Sequence, residues 1–191
     1  GFFGALGLSF FLALLPVSAG VATSPAEISD PRVLGSWVAD TANLISAEGE
    51  TTLNQMIDEL EAKNGSEIMV VTVAETQPSP SPKAFATDLF NHWGIGKADV
   101  NNGVLFLVST GDRRAEIDVG YGLEDIMTQR QAEQLLAEDV LPEFKQEQFE
   151  SGILQGTERL VAIVGKEVSA PAIAPSISGE DLQFFLSAFV V

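Results

Sequence analysis

Asn101-Asn102-Gly103-Val104-Leu105-Phe106-Leu107-Val108-Ser109-Thr110-Gly111-Asp112-Arg113-Arg114-Ala115-Glu116-Ile117-Asp118-Val119-Gly120-Tyr121-Gly122-Leu123-Glu124-Asp125 reads as two strands and the turn that joins them. Residues 104–108 are a continuous apolar run, the pattern of a strand buried on both faces. Residues 115–119 alternate apolar and polar, the pattern of a strand with one solvated face. The first is therefore central and the second nearer an edge. The intervening residues 110–114 are short and rich in turn formers, so the strands pair antiparallel. A geometric consequence follows. The loop that starts the first strand (Asp99, Asn101, Asn102) and the loop that ends the second (Tyr121, Glu124, Asp125) become neighbours in space.

Upstream, residues 68–73 form another β-rich apolar run, hence a second buried strand. Between it and Val104 lie the breakers Pro78, Pro80 and Pro82, then Phe85, Ala86, Leu89, Phe90 and Trp93 on one face of a helix that Gly94-Ile95-Gly96 ends. Strand, helix and strand in this order predict a parallel, right-handed βαβ unit. Further upstream, Trp37-Val38-Ala39-Asp40 is a short return of apolar character. Ser46 then caps a helix with Glu48 and Glu50 in its first turn, Leu53, Met56, Ile57 and Leu60 at helical spacing, and Asn64-Gly65 at its end. Downstream, Thr128-Gln129-Arg130-Gln131 has the form of a capping box, Pro142 stops or kinks the helix it opens, and Phe149, Ile153, Leu160, Val161 and Val164 mark a last amphipathic helix ending at Gly165. Alternating helices and strands predict an α/β fold: a three-layer α/β/α sandwich on a mixed sheet, with a parallel βαβ unit plus an antiparallel hairpin.

That domain occupies residues 33–165. Residues 1–26 contain an uncharged stretch rich in Phe, Leu, Ala and Gly, followed by small-residue sites at Val17-Ser18-Ala19 and Gly20-Val21-Ala22. This predicts a secretory signal whose start is truncated, or else an uncleaved membrane anchor. Residues 27–32 read as a linker. Residues 166–181 are an Ala, Pro and Ser linker, and residues 182–191 are apolar, the beginning of a C-terminal membrane segment.

The chain carries 27 acidic and 10 basic residues, a net charge of −17, which argues against nucleic acid as a partner because phosphates would be repelled. With no cysteine among its 191 residues it has no disulfide, thiol nucleophile or cysteine-bound zinc. Dinucleotide binding fails because the third glycine position after Gly94-Ile95-Gly96 and after Gly120-Tyr121-Gly122 holds Asp99 and Asp125. An EF-hand fails because Val104 stands at the turn-glycine position and Thr110 at the bidentate-glutamate position. The single histidine, His92, lies beside Trp93 in the last turn of a helix and reads as a surface residue rather than part of a triad. Arg113-Arg114 reads as a solvated turn that pairs with local carboxylates. What remains is a hard-cation site. Asp40, Asn43, Asp99, Asn101, Asn102, Glu124 and Asp125 supply the oxygen ligands that calcium prefers, and the same residue types also make ordinary tight turns.

Val38-Ala39-Asp40-x-Ala42-x-Leu44, His92-Trp93-Gly94-Ile95-Gly96, Asn101-Asn102-Gly103-Val104, Asp112-Arg113 and Val119-Gly120-Tyr121-Gly122-Leu123-Glu124 together resemble the TPM domain family over residues 33–165. The resemblance implies an α/β/α domain on the lumenal or periplasmic side of a membrane. It implies calcium (or magnesium) as the bound ion and Asp40, Asn101, Asn102, Asp112, Tyr121 and Glu124 as candidate ligands or loop-shaping residues. Asp112 is expected at the far end of the hairpin from Asn102 and Glu124. The expected role is that of a calcium-binding, non-catalytic lumenal auxiliary factor for assembly or repair of a membrane protein complex, like photosystem II repair proteins. Such a factor would be exported to the thylakoid lumen or periplasm and held at the membrane by its terminal apolar segments. The alternative is a metal-assisted acid phosphatase with Asp40 as base or nucleophile. A third reading is a peptide-binding module that uses the sheet edge at residues 115–119.

Overall fold

The computed structural model describes residues 24–166. The expected signal or anchor, apart from its last residues, and the C-terminal linker beyond its first residue, with the apolar segment, lie outside them. Four strands form one sheet in the order β1 (Val38–Asp40), β2 (Glu67–Val73), β3 (Gly103–Ser109), β4 (Arg114–Val119). β1, β2 and β3 run parallel, with Val38 beside Val70 and Glu67 beside Gly103. β4 pairs antiparallel with β3, Val104 opposite Val119 and Ser109 opposite Arg114. The hairpin and the parallel pairing are as the apolar runs predict. β1 is an addition: three residues are too few for a periodicity to show, and pairing with β2 makes them a strand.

Helix α1 (Ala47–Asn64) begins where the Ser46 hydroxyl accepts the Gly49 N–H at 3.1 Å and ends at Gly65 with φ of +76°. Helix α2 (Pro82–Trp93) is capped by Ser81, whose hydroxyl accepts from the Ala84 N–H, and takes Pro82 at its first position, where a missing N–H costs nothing. Helix α3 (Gln129–Leu135) carries the Thr128/Gln131 capping box. It runs through a π turn (Leu136–Val140) into the short α4 (Leu141–Phe144). Pro142 has no N–H to offer the Glu138 carbonyl, and its ring would strike that group in a regular turn. The helix accommodates it by widening. Helix α5 (Phe149–Val164) closes the domain.

Strand alternation divides the core into two layers. Val38, Ile68, Val70, Val104, Phe106, Val108 and Ile117 face Leu53, Ile57 and Leu60 of α1 together with α3 and α5. Met69, Val71, Val73, Leu105 and Leu107 face Phe85, Ala86, Leu89 and Trp93 of α2. This is the expected α/β/α sandwich on a mixed sheet.

Two features depart from expectation. The steps from β1 to β2 and from β2 to β3 go the same way across the sheet, yet α1 and α2 cover opposite faces, so the two crossovers have opposite hands. The Val70 N–H donates to the Trp37 carbonyl just before β1, while the Val70 side chain lies in the α1 layer. For an L-residue this sets β1 to the right of β2 when seen from the α1 side with the strands running upward. The α2 crossover is therefore right-handed, as expected, and the α1 crossover is left-handed, against the general rule for parallel pairs.

The second departure is the expected linker at residues 27–32, which is packed onto the domain. Ile28 is buried against the α2 layer and its carbonyl accepts from the Trp93 indole N–H. Arg32 forks to Asp30 at 2.7 Å and to Glu67 at 2.9 Å, and also donates to the Trp93 carbonyl. Among the described residues no helix is long and apolar enough to cross a membrane.

Candidate functional site

The nine candidate ligands fall at two ends of the sheet. Asp40, Asn43 and Asp112 lie at the carboxyl ends of β1 and β3, while Asp99, Asn101, Asn102, Tyr121, Glu124 and Asp125 lie where β3 begins and β4 finishes. Asp40 is level with Thr72, and Thr72 with Val108, five residues along β3 from Gly103. At strand rise that is about 16 Å. The grouping of Asp40 and Asn43 with the Asn101 and Glu124 loops therefore does not form, because the sheet holds them apart. Asp112 is at the far end of the hairpin, as anticipated.

At the carboxyl end the two carboxylates are already engaged. Asp40 accepts the N–H groups of Leu44 at 3.0 Å and Ile45 at 2.9 Å, along with the Thr72 hydroxyl. It closes the loop that leads from β1 into α1, in which Asn43 takes a φ of +54°. Asp112 accepts the Ser109 hydroxyl and both the N–H and hydroxyl of Thr76 through a single oxygen, at 2.7 to 2.9 Å. Burial alone would raise its pKa, but these donors outweigh burial and hold the carboxyl below the usual range. Both residues act as local fasteners of the loops around them.

At the amino end, backbone is packed on backbone. The Gly122 N–H donates to the Asn101 carbonyl at 3.1 Å and the Gly120 N–H to the Gly103 carbonyl at 2.8 Å. A Cβ on Gly120 would strike the Asn101 carbonyl, and one on Gly122 the Val100 carbonyl. Asn101 itself has a φ of +53°. Asn102 is buried, its amide oxygen accepting the Lys97 N–H at 2.9 Å and its backbone carbonyl the Glu67 N–H. Asn102 is thus a loop-shaping residue. The side chains of Asp99, Asn101, Tyr121, Glu124 and Asp125 are exposed, Tyr121 to 82%, and make no hydrogen bond among the described residues.

Oxygen donors thus stand on two loops fixed to one another, which is the donor chemistry of a hard cation. They do not close into a cage: among the described residues no three acidic or histidine side chains converge. An ion held here would keep several waters and bind in the weak range of open calcium sites.

The sequence blocks that meet at this end carry the family signature, and comparison with known proteins agrees. The TPM domain family model matches residues 38–163. The chain belongs to the TPM domain family. Three solved structures share the fold of this TPM domain. The N-terminal domain of a protein from P. gingivalis is 23% identical, with a TM-score of 0.69 over 75% of this chain and 92% of that one. The BA42 protein from the psychrophilic Bizionia argentinensis is 22% identical, with a TM-score of 0.56 over 66% and 85% of the two chains. The N-terminal domain of the cg2496 protein from Corynebacterium glutamicum is 17% identical, with a TM-score of 0.55 over 74% and 89%. No curated protein matches the chain at a significant level.

Sequence reasoning missed one feature of the TPM domain. Neither Arg113 nor Arg114 forms an ion pair within contact distance among the described residues, although the charge of Arg114 acts on Glu116. The two residues themselves were the visible signal. What could not be read is that the hairpin turn and the α4–α5 turn line one cavity of about 470 Å³, to which Arg113, Lys145, Phe144 and Phe149 all contribute.

Proposed function

We propose that this TPM domain is a calcium-binding, non-catalytic accessory factor, exported to a thylakoid lumen or periplasm, that serves assembly or repair of a membrane protein complex. The observation that carries the reading is the contrast between the carboxylates at the two ends of the sheet. Asp40 and Asp112 are consumed by internal hydrogen bonds, while Asp99, Glu124 and Asp125, with Asn101, stand free on loops that are rigid because their backbones interlock. A rigid, solvent-facing oxygen set suits a divalent ion shared with a partner surface or with water. The net charge of −17 favours such an ion over an anionic partner.

The test is a calcium titration of the full chain, with magnesium as control, followed by the thermal midpoint. A ligand that binds only the folded state stabilises it by about 2.7 kcal/mol at a hundred times its dissociation constant. A calcium-selective rise is expected, and Glu124→Gln with Asp125→Asn is expected to abolish it. An unchanged midpoint at millimolar calcium would remove the basis for the reading. The phosphatase reading is weaker, since Asp40, its proposed base or nucleophile, has both oxygens committed to the β1–α1 loop.

A further inference from the structure

We propose that the cavity at the carboxyl end of β3 is a binding site for a small apolar carboxylate: one negative head on an aromatic or branched body. The cavity, of about 470 Å³, lies within the size range of small-molecule pockets. Its apolar lining comes from Val108, Leu141, Phe144 and Phe149, the two rings standing 5.2 Å apart at a tilt of 50°. Its cations are Arg113 and Lys145. Arg114 also lines it, but strand alternation sets that residue with Glu116 and Asp118 on the α2 face, where its charge acts on Glu116.

Two observations give the cations meaning. Neither Arg113 nor Lys145 has a carboxylate within ion-pair distance among the described residues, which leaves both charges available to a ligand. Both also hang from braced backbone. Arg113 sits at a φ of +53° in a turn pinned by Asp112 to Ser109 and Thr76, and the Lys145 N–H donates to the Leu141 carbonyl at the end of α4. Two cations without ion-pair partners, on the lining of a cavity that also presents two rings and two aliphatic side chains, match a carboxylate that the guanidinium grips as a fork.

Charge sets the upper limit. Glu147 lines the same cavity and the whole chain is strongly negative, so each further negative charge on a ligand is penalised. This favours a single carboxylate over a phosphate dianion. A free acid and the C-terminal carboxylate of a peptide ending in an apolar residue share this chemistry.

The experiment is calorimetric titration of the full chain with 3-phenylpropionate, its alcohol 3-phenylpropanol, phenyl phosphate, and N-acetyl-Ala-Phe as acid and as amide. Saturable binding of the acids is expected, at least about tenfold tighter than the alcohol and the amide, the loss of a charge-assisted contact being of that size. Arg113→Gln and Lys145→Gln should each weaken it several-fold, while Arg130→Gln, which removes an exposed cation that does not line the cavity, leaves it unchanged. Both cations are exposed, so an unaltered thermal midpoint will show that the variants fold. Tighter binding of N-acetyl-Ala-Phe than of 3-phenylpropionate would assign the site to chain termini, and the reverse order to free acids. The proposal is overturned by no saturation at about 10 mM, far weaker than one good ionic contact with apolar burial provides. It is equally overturned by equal binding of acid and alcohol, by preference for phenyl phosphate, or by binding that survives the double substitution.

Discussion

A Cβ on Gly96 would lie 2.5 Å from the backbone nitrogen of Gly103, so the start of the α2–β3 connection and the first residue of β3 touch through bare backbone. Gly96 also has a φ of +95°, a conformation that side chains oppose. The same crowding recurs at Gly122 against Val100, so three glycine-bearing blocks far apart in sequence close on one another at the amino end of β3. Gly103→Ala and Gly122→Ala are each expected to lower stability by about 1 to 3 kcal/mol, the cost of forcing atoms into filled space. Gly35→Ala, where nothing lies within 4 Å, should cost no more than its left-handed backbone demands. Urea unfolding of the three variants checks the order.

Arg32 is expected to matter for stability although it precedes the sheet. Arg32→Ala removes the partner of Glu67, which is nearly buried, and leaves it with Lys97 and the Gly96 N–H. A loss of about 2 kcal/mol is expected. Arg32→Lys should recover little of it, since one ammonium cannot reach Asp30, Glu67 and the Trp93 carbonyl together. Ile28→Ala should cost about 2 kcal/mol by emptying its place against α2. Wild-type stability for both Arg32→Ala and Ile28→Ala would return this segment to the status of a linker.

Asp112 should govern part of the acid limb of stability. Its folded pKa lies below the unfolded one, so the stabilisation is complete above the unfolded value and fades as pH falls through the folded value. Asp112→Asn is therefore expected to be less stable than wild type at neutral pH, with the gap narrowing toward low pH. Denaturation midpoints measured from pH 7 downward test this; a gap independent of pH would deny it.

Glu116 should behave in the opposite sense. Burial raises its pKa most, and Lys83 and Arg114 pull it back while Asp118 and Glu133 add to the rise, so the net shift is upward. Ionisation therefore works against the fold as pH rises through the folded value. Glu116→Gln is expected to melt higher than wild type at pH 7 and to lose that advantage in acid. A lower midpoint at pH 7 would contradict the sign.

How much of this was legible in the residues differs by element. The apolar run of β3, the alternation of β4, the stripe of α2 and the caps at Ser46 and Thr128 each announce themselves locally, because a strand or helix repeats its environment every two or every 3.6 residues. The glycine blocks were visible too, although their use was not: Gly122 is needed because Val100 lies against it, and Val100 comes from another loop. The candidate ligands were half legible. Their residue types marked loops correctly, but Asp40 and Asp112 are occupied by hydrogen bonds from Leu44, Ile45, Thr76 and Ser109 that composition does not display.

The sequence by itself determined the element order apart from β1, the mixed sheet with its central β3, the buried face of each helix, and the meeting of the Asn101 and Glu124 loops, since all of these follow from local periodicity plus one short hairpin. Only the tertiary structure decided that residues 38–40 pair as a strand, that the α1 crossover is left-handed, and that Asp40 is offset by about 16 Å along the strands from the loops it was grouped with. It alone also brings Arg113 and Lys145 to the lining of one cavity. The physical reason is common to all four. A residue's own neighbours in sequence set which way it faces, whereas the order of strands and the path of the chain around them are fixed by the packing of whole layers.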